Sequence, residues 1–303
     1  MLVTLGNVQA IFRGYSTRFW EAYSGSAAPM SASLLMTVPT TGISEQHNWL
    51  SSTRGIRELV DEAQIQGLLA QDYTITNKEY EETLELKELE IKTDKYGLLG
   101  PRLQILGSNS RGFDDELLAN LIVKGLDGTG LDYTGSAFFG TGKKAHADAV
   151  AFTNVTTGKL TAARYQAGRA NLKNRRNPSG RPMNLGLDLR LIVSPTWEAK
   201  GREILVAEIV NNTTNVDRGT AKLEVWPWLT AVGLEDAWFL ADFGNPLKPF
   251  IKQQLVDWTY YSVDNPQSEY VLRFHKFLWQ IYSAMAIGFG FPESIYGSDG
   301  SVA

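Results

Sequence analysis

The segment Arg57–Gly97, RELVDEAQIQGLLAQDYTITNKEYEETLELKELEIKTDKYG, restricts the fold more than any other part of the chain. Gln64–Leu69 and Tyr73–Thr83 have extended character, and Ala70-Gln71-Asp72 joins them into a predicted two-stranded ribbon. Along it Tyr73, Ile75, Tyr80 and Leu84 are separated by charged or amide residues, so at most one face is apolar. An isolated hairpin is marginal in water, because two strands bury too little to offset the entropy of ordering them. The ribbon therefore needs a surface, either on its own subunit or on a neighbouring copy. A projecting arm of this kind points to a protein that assembles.

With 303 residues, 43% hydrophobic and 20% charged, the chain has enough apolar material for one large domain or two lobes. The formal net charge of −4 argues against broad affinity for nucleic acid or acidic membrane. There is no cysteine, which excludes disulfides and thiolate chemistry and suits a reducing cytoplasm. The first twenty residues lack a basic stretch followed by an apolar run, so no secretory signal is expected. Residues 4–24 read as an amphipathic helix carrying Leu5, Val8, Phe12, Phe19 and Trp20, tethered by an extended linker rather than packed into a core. A helix is expected from Asp94 to about Leu126, marred by Gly97, Gly100-Pro101 and Gly107. Its clear half opens at Asp114 as a cap and carries Leu117, Leu118, Leu121 and Ile122. After a loop-rich stretch at 125–157, a second helix is predicted at Thr157–Lys173 with a spine of Leu160, Ala163, Ala167 and Ala170. Leu187–Val193 reads as a buried strand, Ser194-Pro195 as the start of a helix to about Val210, and Lys222–Trp228 as a strand. Trp238–Ala241, Ile251–Trp258 and Tyr270–Ile287 supply further strands, and the whole is α+β with a sheet in the C-terminal half.

Motifs that would signal chemistry are weak. Ala137–Lys144, AFFGTGKK, has Ala where a phosphate loop needs its first Gly and Lys where it needs Ser or Thr. A nucleotide-dependent enzyme using Gly140–Lys144 is accordingly the disfavoured alternative. Three histidines, His47, His146 and His275, show no metal-ligand spacing and read as surface or packing residues. Glu79, Glu81, Glu82, Glu85, Glu88 and Glu90 suit a solvated ribbon better than paired catalytic carboxylates. Arg164, Arg169, Lys173, Arg175, Arg176 and Arg181 form a basic run with no intervening acid. Only Tyr165 interleaves it, against the aromatic spacing of a single-strand binder, so contact with an acidic ribbon is favoured over nucleic acid. Trp226, Trp228 and Trp238 read as core or interface anchors rather than a carbohydrate platform. No catalytic residue, cofactor or metal site is expected.

An ordered set of short matches then resembles the major head subunit of Mu-like bacteriophages. It comprises Trp49-Leu50, Arg57-Glu58, Tyr73–Lys78, Tyr80-Glu81 and Asp94–Gly97. It continues through Phe138-Phe139 with His146, Gly180–Leu185, Leu191–Pro195, Trp238–Leu240 and Lys248–Ile251 with Gln254. The resemblance is colinear from about residue 7 to 297, although Gly-Thr-Gly-Lys-Lys and an insertion replace the family's acidic turn before the histidine. It implies the Hong Kong 97-type capsid fold: an N-terminal arm at 1–45, an extended loop at 46–92, a peripheral domain at 93–182 and 255–303, and an axial domain at 183–254. It further implies self-assembly into hexamers and pentamers of an icosahedral virion shell around double-stranded DNA held without sequence-specific contacts, built in the bacterial cytoplasm. Scaffold-protease, portal and decoration proteins are the implied partners, and a bacterial nanocompartment shell is the alternative of the same fold. The expected inter-subunit contacts are Phe12, Trp20, Trp49, Arg57, Tyr73, Ile75, Tyr80, Glu81, Glu82, Glu85, Arg164, Arg169, Arg175 and Arg176.

Overall fold

A computed structural model describes residues 5–47, 73–93, 99–144, 150–177, 180–210 and 212–301. Helix α1 (Leu5–Gly25) places Val8, Phe12, Tyr15 and Phe19 at spacings of three and four, so all four fall on one buried stripe. The first arm element is thus part of a core, contrary to the tethered arm expected. Phe12 meets Phe277 edge-on with ring centroids 6.1 Å apart, and Phe19 lies 5.3 Å from Trp279. The short α2 (Ser31–Leu34) and strand β1 (Leu35–Pro39) follow.

The long helix α4 (Leu99–Leu126) is continuous, and Asp114 lies inside it rather than capping it. Asp114 pairs instead with Lys252 at 2.6 Å, and Asp115 accepts from the Ser31 N–H at 2.8 Å. The glycines that weaken the helical pattern have a packing reason. A Cβ on Gly107 would overlap the Phe19 carbonyl oxygen and sit 3.2 Å from both Ala22 Cβ and Tyr23 N. The absent side chain lets α1 cross α4 backbone to backbone, and one on Gly100 would meet Arg18.

Two larger sheets are built on these helices. The first has the order β1–β11 (Phe250–Val263)–β12 (Lys276–Phe289)–β4 (Lys78–Lys87), with β1 and β11 parallel and the other pairs antiparallel. The short strands β2 (Ser44–Gln46) and β3 (Thr74–Thr76) pair beside it, and α3 (Glu88–Thr93) continues from β4. The ribbon expectation is corrected here. Its second arm exists, but β4 pairs with β12 from Lys87↔Lys276 to Lys78↔Met285, and Gln64–Leu69 lies outside the described residues. The surface that carries this strand is therefore its own subunit. Tyr270 belongs to a short helix, α8 (Glu269–Phe274). His275 turns the chain into β12 with a left-handed φ of 50°.

The second sheet has the order β5 (Val155–Thr156)–β13 (Ile295–Ser298)–β10 (Trp238–Asp242)–β6 (Leu189–Val193)–β9 (Lys222–Val225). Strand β10 is buried throughout and β6 nearly so, which is why both read as continuous apolar runs. Helix α5 (Ala162–Lys173) is capped by the Thr161 hydroxyl, but it buries Tyr165, Gly168 and Leu172. The expected Ala163, Ala167 and Ala170 spine is exposed instead. The helix expected from Pro195 begins as a 3-10 turn, runs as α6 (Glu198–Leu205) and stops early, giving way to the hairpin β7 (Ile209–Val210) and β8 (Thr213–Thr214). Trp228 opens helix α7 (Trp228–Ala231) rather than ending a strand.

One apolar cluster joins the two sheets. Phe138 stacks on Phe289 at 4.6 Å and lies 5.1 Å from Phe250, while Phe139 lies 5.5 Å from Phe239. Leu118 and Ile122 of α4 and Ile192 of β6 complete it. A separate cluster under α1 carries Phe277, Trp279 and Ile281.

Candidate assembly surfaces

Strand β4 follows period two: Leu86 is buried and Tyr80 and Leu84 half-buried, while Glu79, Glu81, Thr83 and Glu85 face solvent. Tyr80 packs edge-on against Phe113 at 4.9 Å. The acidic face already has partners across the sheet. Glu85 pairs with Lys276 at 2.7 Å, and Glu81 accepts from Gln280 at 3.1 Å and from Thr83, bonds that lower its carboxyl pKa. Glu82 is exposed. Trp20 is half-exposed and lines an open groove with Arg13 and Tyr260 between α1 and β11.

Other expected contact residues are spent inside the subunit. Phe12 is in the α1 core, and Ile75 packs where β3 approaches Gly288. Half-buried Tyr73 accepts the Phe289 N–H at 2.7 Å on its hydroxyl. Arg175 is buried: it donates to the Thr153 carbonyl at 2.9 Å and to Asn171, and lies over the Phe152 ring at 4.6 Å. All four have partners within the subunit. Arg164 and Arg176 are exposed and Arg169 is half-buried, so the basic run offers less free charge than its sequence implies. Trp49, Arg57 and His146 lie outside the described residues.

The loop that imitates a phosphate site is structural. Lys143 is buried, its ammonium paired with Asp132 and donating to the carbonyl oxygens of Ala137 and Phe138. Burial pulls its pKa down while the Asp132 carboxylate opposes the shift. A lysine committed in this way has no donor left for a phosphate, and the nucleotide reading fails on it. Beside it Asn154 donates to the Phe138 and Pro292 carbonyls, and Tyr133 donates to Glu293 at 3.1 Å. Glu293 is buried, and burial pushes its carboxyl up to about 7 against the pull of Tyr133 and Arg175. This Asp132–Lys143–Arg175–Glu293 cluster had no periodic signal in the sequence.

The remaining histidines behave as packing and surface groups. His47 is buried against Gln253 at 3.0 Å, and exposed His275 pairs with Glu88 at 3.2 Å. Among the described residues no group of His, Cys, Asp and Glu is placed to hold a metal, and no helix is long and apolar enough to cross a membrane. Trp226 and Trp238 are core anchors, the latter donating its indole N–H to the Gly158 carbonyl at 3.1 Å.

A long helix crossing a ribbon-like sheet, joined through one core to a mixed five-stranded sheet, defines the Hong Kong 97-type capsid fold. The procapsid subunit of bacteriophage JBD30 superposes over 97% of this chain and 76% of its own, with TM-score 0.58 at 20% identity. The virus-like particle subunit of Pyrococcus furiosus matches over 95% of this chain and 99% of its own, with TM-score 0.52 at 10% identity. The profile of the Mu-like prophage major head subunit gpT family matches residues 8–159, 150–229 and 230–302, and the chain belongs to that family. The FluMu prophage major head subunit of Haemophilus influenzae is 25% identical over 139 residues, 46% of this chain and 44% of that protein. The major capsid protein of Escherichia phage Mu is 26% identical over 139 residues, 46% of this chain and 45% of its own. These alignments span less than half the length of either relative. The family is one of structural head subunits, not enzymes.

Proposed function

We propose that this chain is the major capsid protein of a tailed bacteriophage or prophage. It forms hexamers and pentamers of an icosahedral shell that encloses double-stranded DNA. The observation that carries the reading is the family match running from residue 8 to 302 on a chain with the capsid fold. The product is a virion component, assembled in the host cytoplasm with scaffold-protease, portal and decoration proteins as partners. The domain assignment is an arm at 1–45, an extended loop at 46–92, a peripheral domain at 93–182 and 255–303, and an axial domain at 183–254. The last strand, Ile295–Ser298, is best counted with the axial sheet it pairs in. Exposed Glu79 and Glu81 on one face of β4, and Glu82 on the other, are the candidate partners of exposed Arg164, Lys173 and Arg176 of neighbouring copies. A shell requires many modest contacts that add cooperatively, and such rim charges supply them without strong net charge.

Electron microscopy of the purified protein tests the reading: polygonal shells or capsomer rings are expected. A protein that stays monomeric under all assembly conditions, with and without co-expressed scaffold, refutes it. Shells expressed in the host that hold a protein cargo and no DNA would instead identify a nanocompartment.

A further inference from the structure

Lys143 and Asn154 are brought together inside the loop that follows α4. Among the described residues Lys143 is the one buried lysine, and Asn154 is buried completely. Backbone pairing sets their positions. Lys143 and Phe152 exchange two hydrogen bonds, at 2.7 and 2.8 Å, and the Asn154 N–H bonds the Gly140 carbonyl at 3.1 Å. The lysine side chain folds back over Gly140, where a Cβ would lie 3.3 Å from Lys143 Cδ. Its Nζ donates to the Phe138 carbonyl at 3.0 Å, and Asn154 Nδ2 donates to that same oxygen at 2.9 Å. An amine and a carboxamide thus share one acceptor in the protein interior.

An ion pair and a satisfied buried amide account for either residue alone. Their meeting on one oxygen, beside a carboxylate, is the arrangement of a reaction. Asn154 Oδ1 accepts the Gly140 N–H at 2.8 Å, a donor placed where negative charge grows when the amide carbon is attacked. Asn154 Nδ2 has a second acceptor in the Pro292 carbonyl at 3.2 Å, so the leaving nitrogen is held on both sides. Asp132 is the base. Its Oδ2 pairs with Lys143 Nζ, while Oδ1 accepts from the Thr134 N–H at 2.9 Å and the Thr134 hydroxyl at 2.6 Å. Thr134 thereby fixes the carboxylate and leaves Oδ2 to take a proton. Burial draws the Lys143 pKa down, toward the free amine, against the pull of Asp132.

We propose that Lys143 Nζ attacks Asn154 Cγ and forms an intramolecular isopeptide bond, with Asp132 as the base. Asp132 Oδ2 first takes one proton from the ammonium. The Nζ–Cγ bond forms while the Gly140 N–H steadies the amide oxygen, and the Cγ–Nδ2 bond then breaks. Nδ2 takes a second Nζ proton and leaves as ammonia, which carries off the proton held by Asp132. The remaining Nζ–H stays on Asp132 Oδ2, and the chain loses one ammonia and one positive charge. The step needs no oxidant or co-reactant. Fixed geometry supplies the rate, since oriented intramolecular reactions reach effective molarities on the order of 10⁵–10⁸ M. The bond locks the loop that carries Phe138 and Phe139, the rings through which the two sheets meet.

The intact mass of the purified full-length chain in denaturant reads the bond directly. The wild type is expected to be lighter than its sequence by one ammonia. In a tryptic digest, peptides 125–144 and 145–159 are expected to stay joined through Lys143 and Asn154. Lys143→Met and Asn154→Ala are expected to show the full mass of their own sequences. A wild type of full mass, or an ammonia deficit that maps elsewhere, overturns the proposal whether or not the variants fold. Asp132→Asn forming the bond in wild-type yield overturns the assignment of the base, and loss there with recovery in Asp132→Glu supports it. None of these readouts requires assembly, so the capsid reading stands or falls separately.

Discussion

Replacing Glu293 by Gln isolates the cost of a buried carboxylate. The side chain is 4% exposed; one oxygen accepts from Tyr133 at 3.1 Å and the other has no hydrogen-bond partner. Its carboxyl sits at about 7 instead of the ordinary 4.5, mainly through burial. Between those values the unfolded chain has released the proton and the folded chain still holds it. The folded state then binds more protons, so stability falls as pH rises through this window and is lowest above it. Raising the carboxyl from 4.5 to about 7, at about 1.4 kcal/mol per pH unit, amounts to roughly 3 kcal/mol between pH 4.5 and pH 8. Gln has the shape of the neutral acid and does not titrate. Urea unfolding of both proteins at pH 4.5 and pH 8 should show Gln gaining on wild type by about that amount at the higher pH. Taking the difference between proteins cancels the titrating groups that do not interact with Glu293. A stability difference that is the same at both pH values would refute the buried-carboxylate account.

Two other substitutions test the packing. Gly107→Val should cost about 1–3 kcal/mol or more in thermal unfolding, since α1 must lift from α4 to admit a side chain against the Phe19 carbonyl. Gly112, on the same helix with open space at its Cβ position, should accept Ala with no loss. Reversing Arg175 to Glu should destabilise the subunit itself, because a third buried carboxylate, beside Asp132 and Glu293, would replace a guanidinium bonded to Thr153 and Asn171. Arg176→Glu should leave the unfolding midpoint within about 0.5 kcal/mol and act on assembly alone.

How much of this was legible depended on how local the cause was. Leu189–Val193 and Trp238–Asp242 are buried runs bounded by turn residues, and their sequences say so without help from the rest of the chain. The acidic strand was visible as a strand, but its partner is β12, about two hundred residues away, and no local hairpin rule can name it. In α5 small alanines suggested a close-packed spine. The helix instead buries Tyr165 and Leu172 and brings Gly168 beside the Tyr296 and Trp238 rings, leaving the alanines outward. Gly100 and Gly107 lowered the helical signal of α4 where tertiary contact with α1 required them. Lys143 looked like a phosphate ligand because a sequence shows charge and not burial; its pairing with Asp132 depends on how the loop closes.

The two apolar clusters suggest where the subunit can bend. The cluster of Phe138, Phe250 and Phe289 ties both sheets to α4, while that of Phe12, Phe19 and Trp279 ties α1 to the far part of the ribbon. Between them β11 takes two register shifts against β12, between Gln254 and Val256 and between Val256 and Thr259. Each adds a residue to β11, interrupts the ladder and increases local twist. The Val256 carbonyl, freed from regular pairing, is met by Gln254 at 2.7 Å and Ser283 at 2.8 Å, so the irregularity is held by side chains rather than by the sheet. A shell of hexamers and pentamers asks one sequence to fit unlike surroundings, and bending there leaves both clusters unbroken. Amides at 255–258 should therefore exchange with solvent faster than those at 250–253 and 260–263 of the same strand. Uniform protection along β11 would mean that the strand moves as one piece, and that any adjustment between copies must come from loops instead.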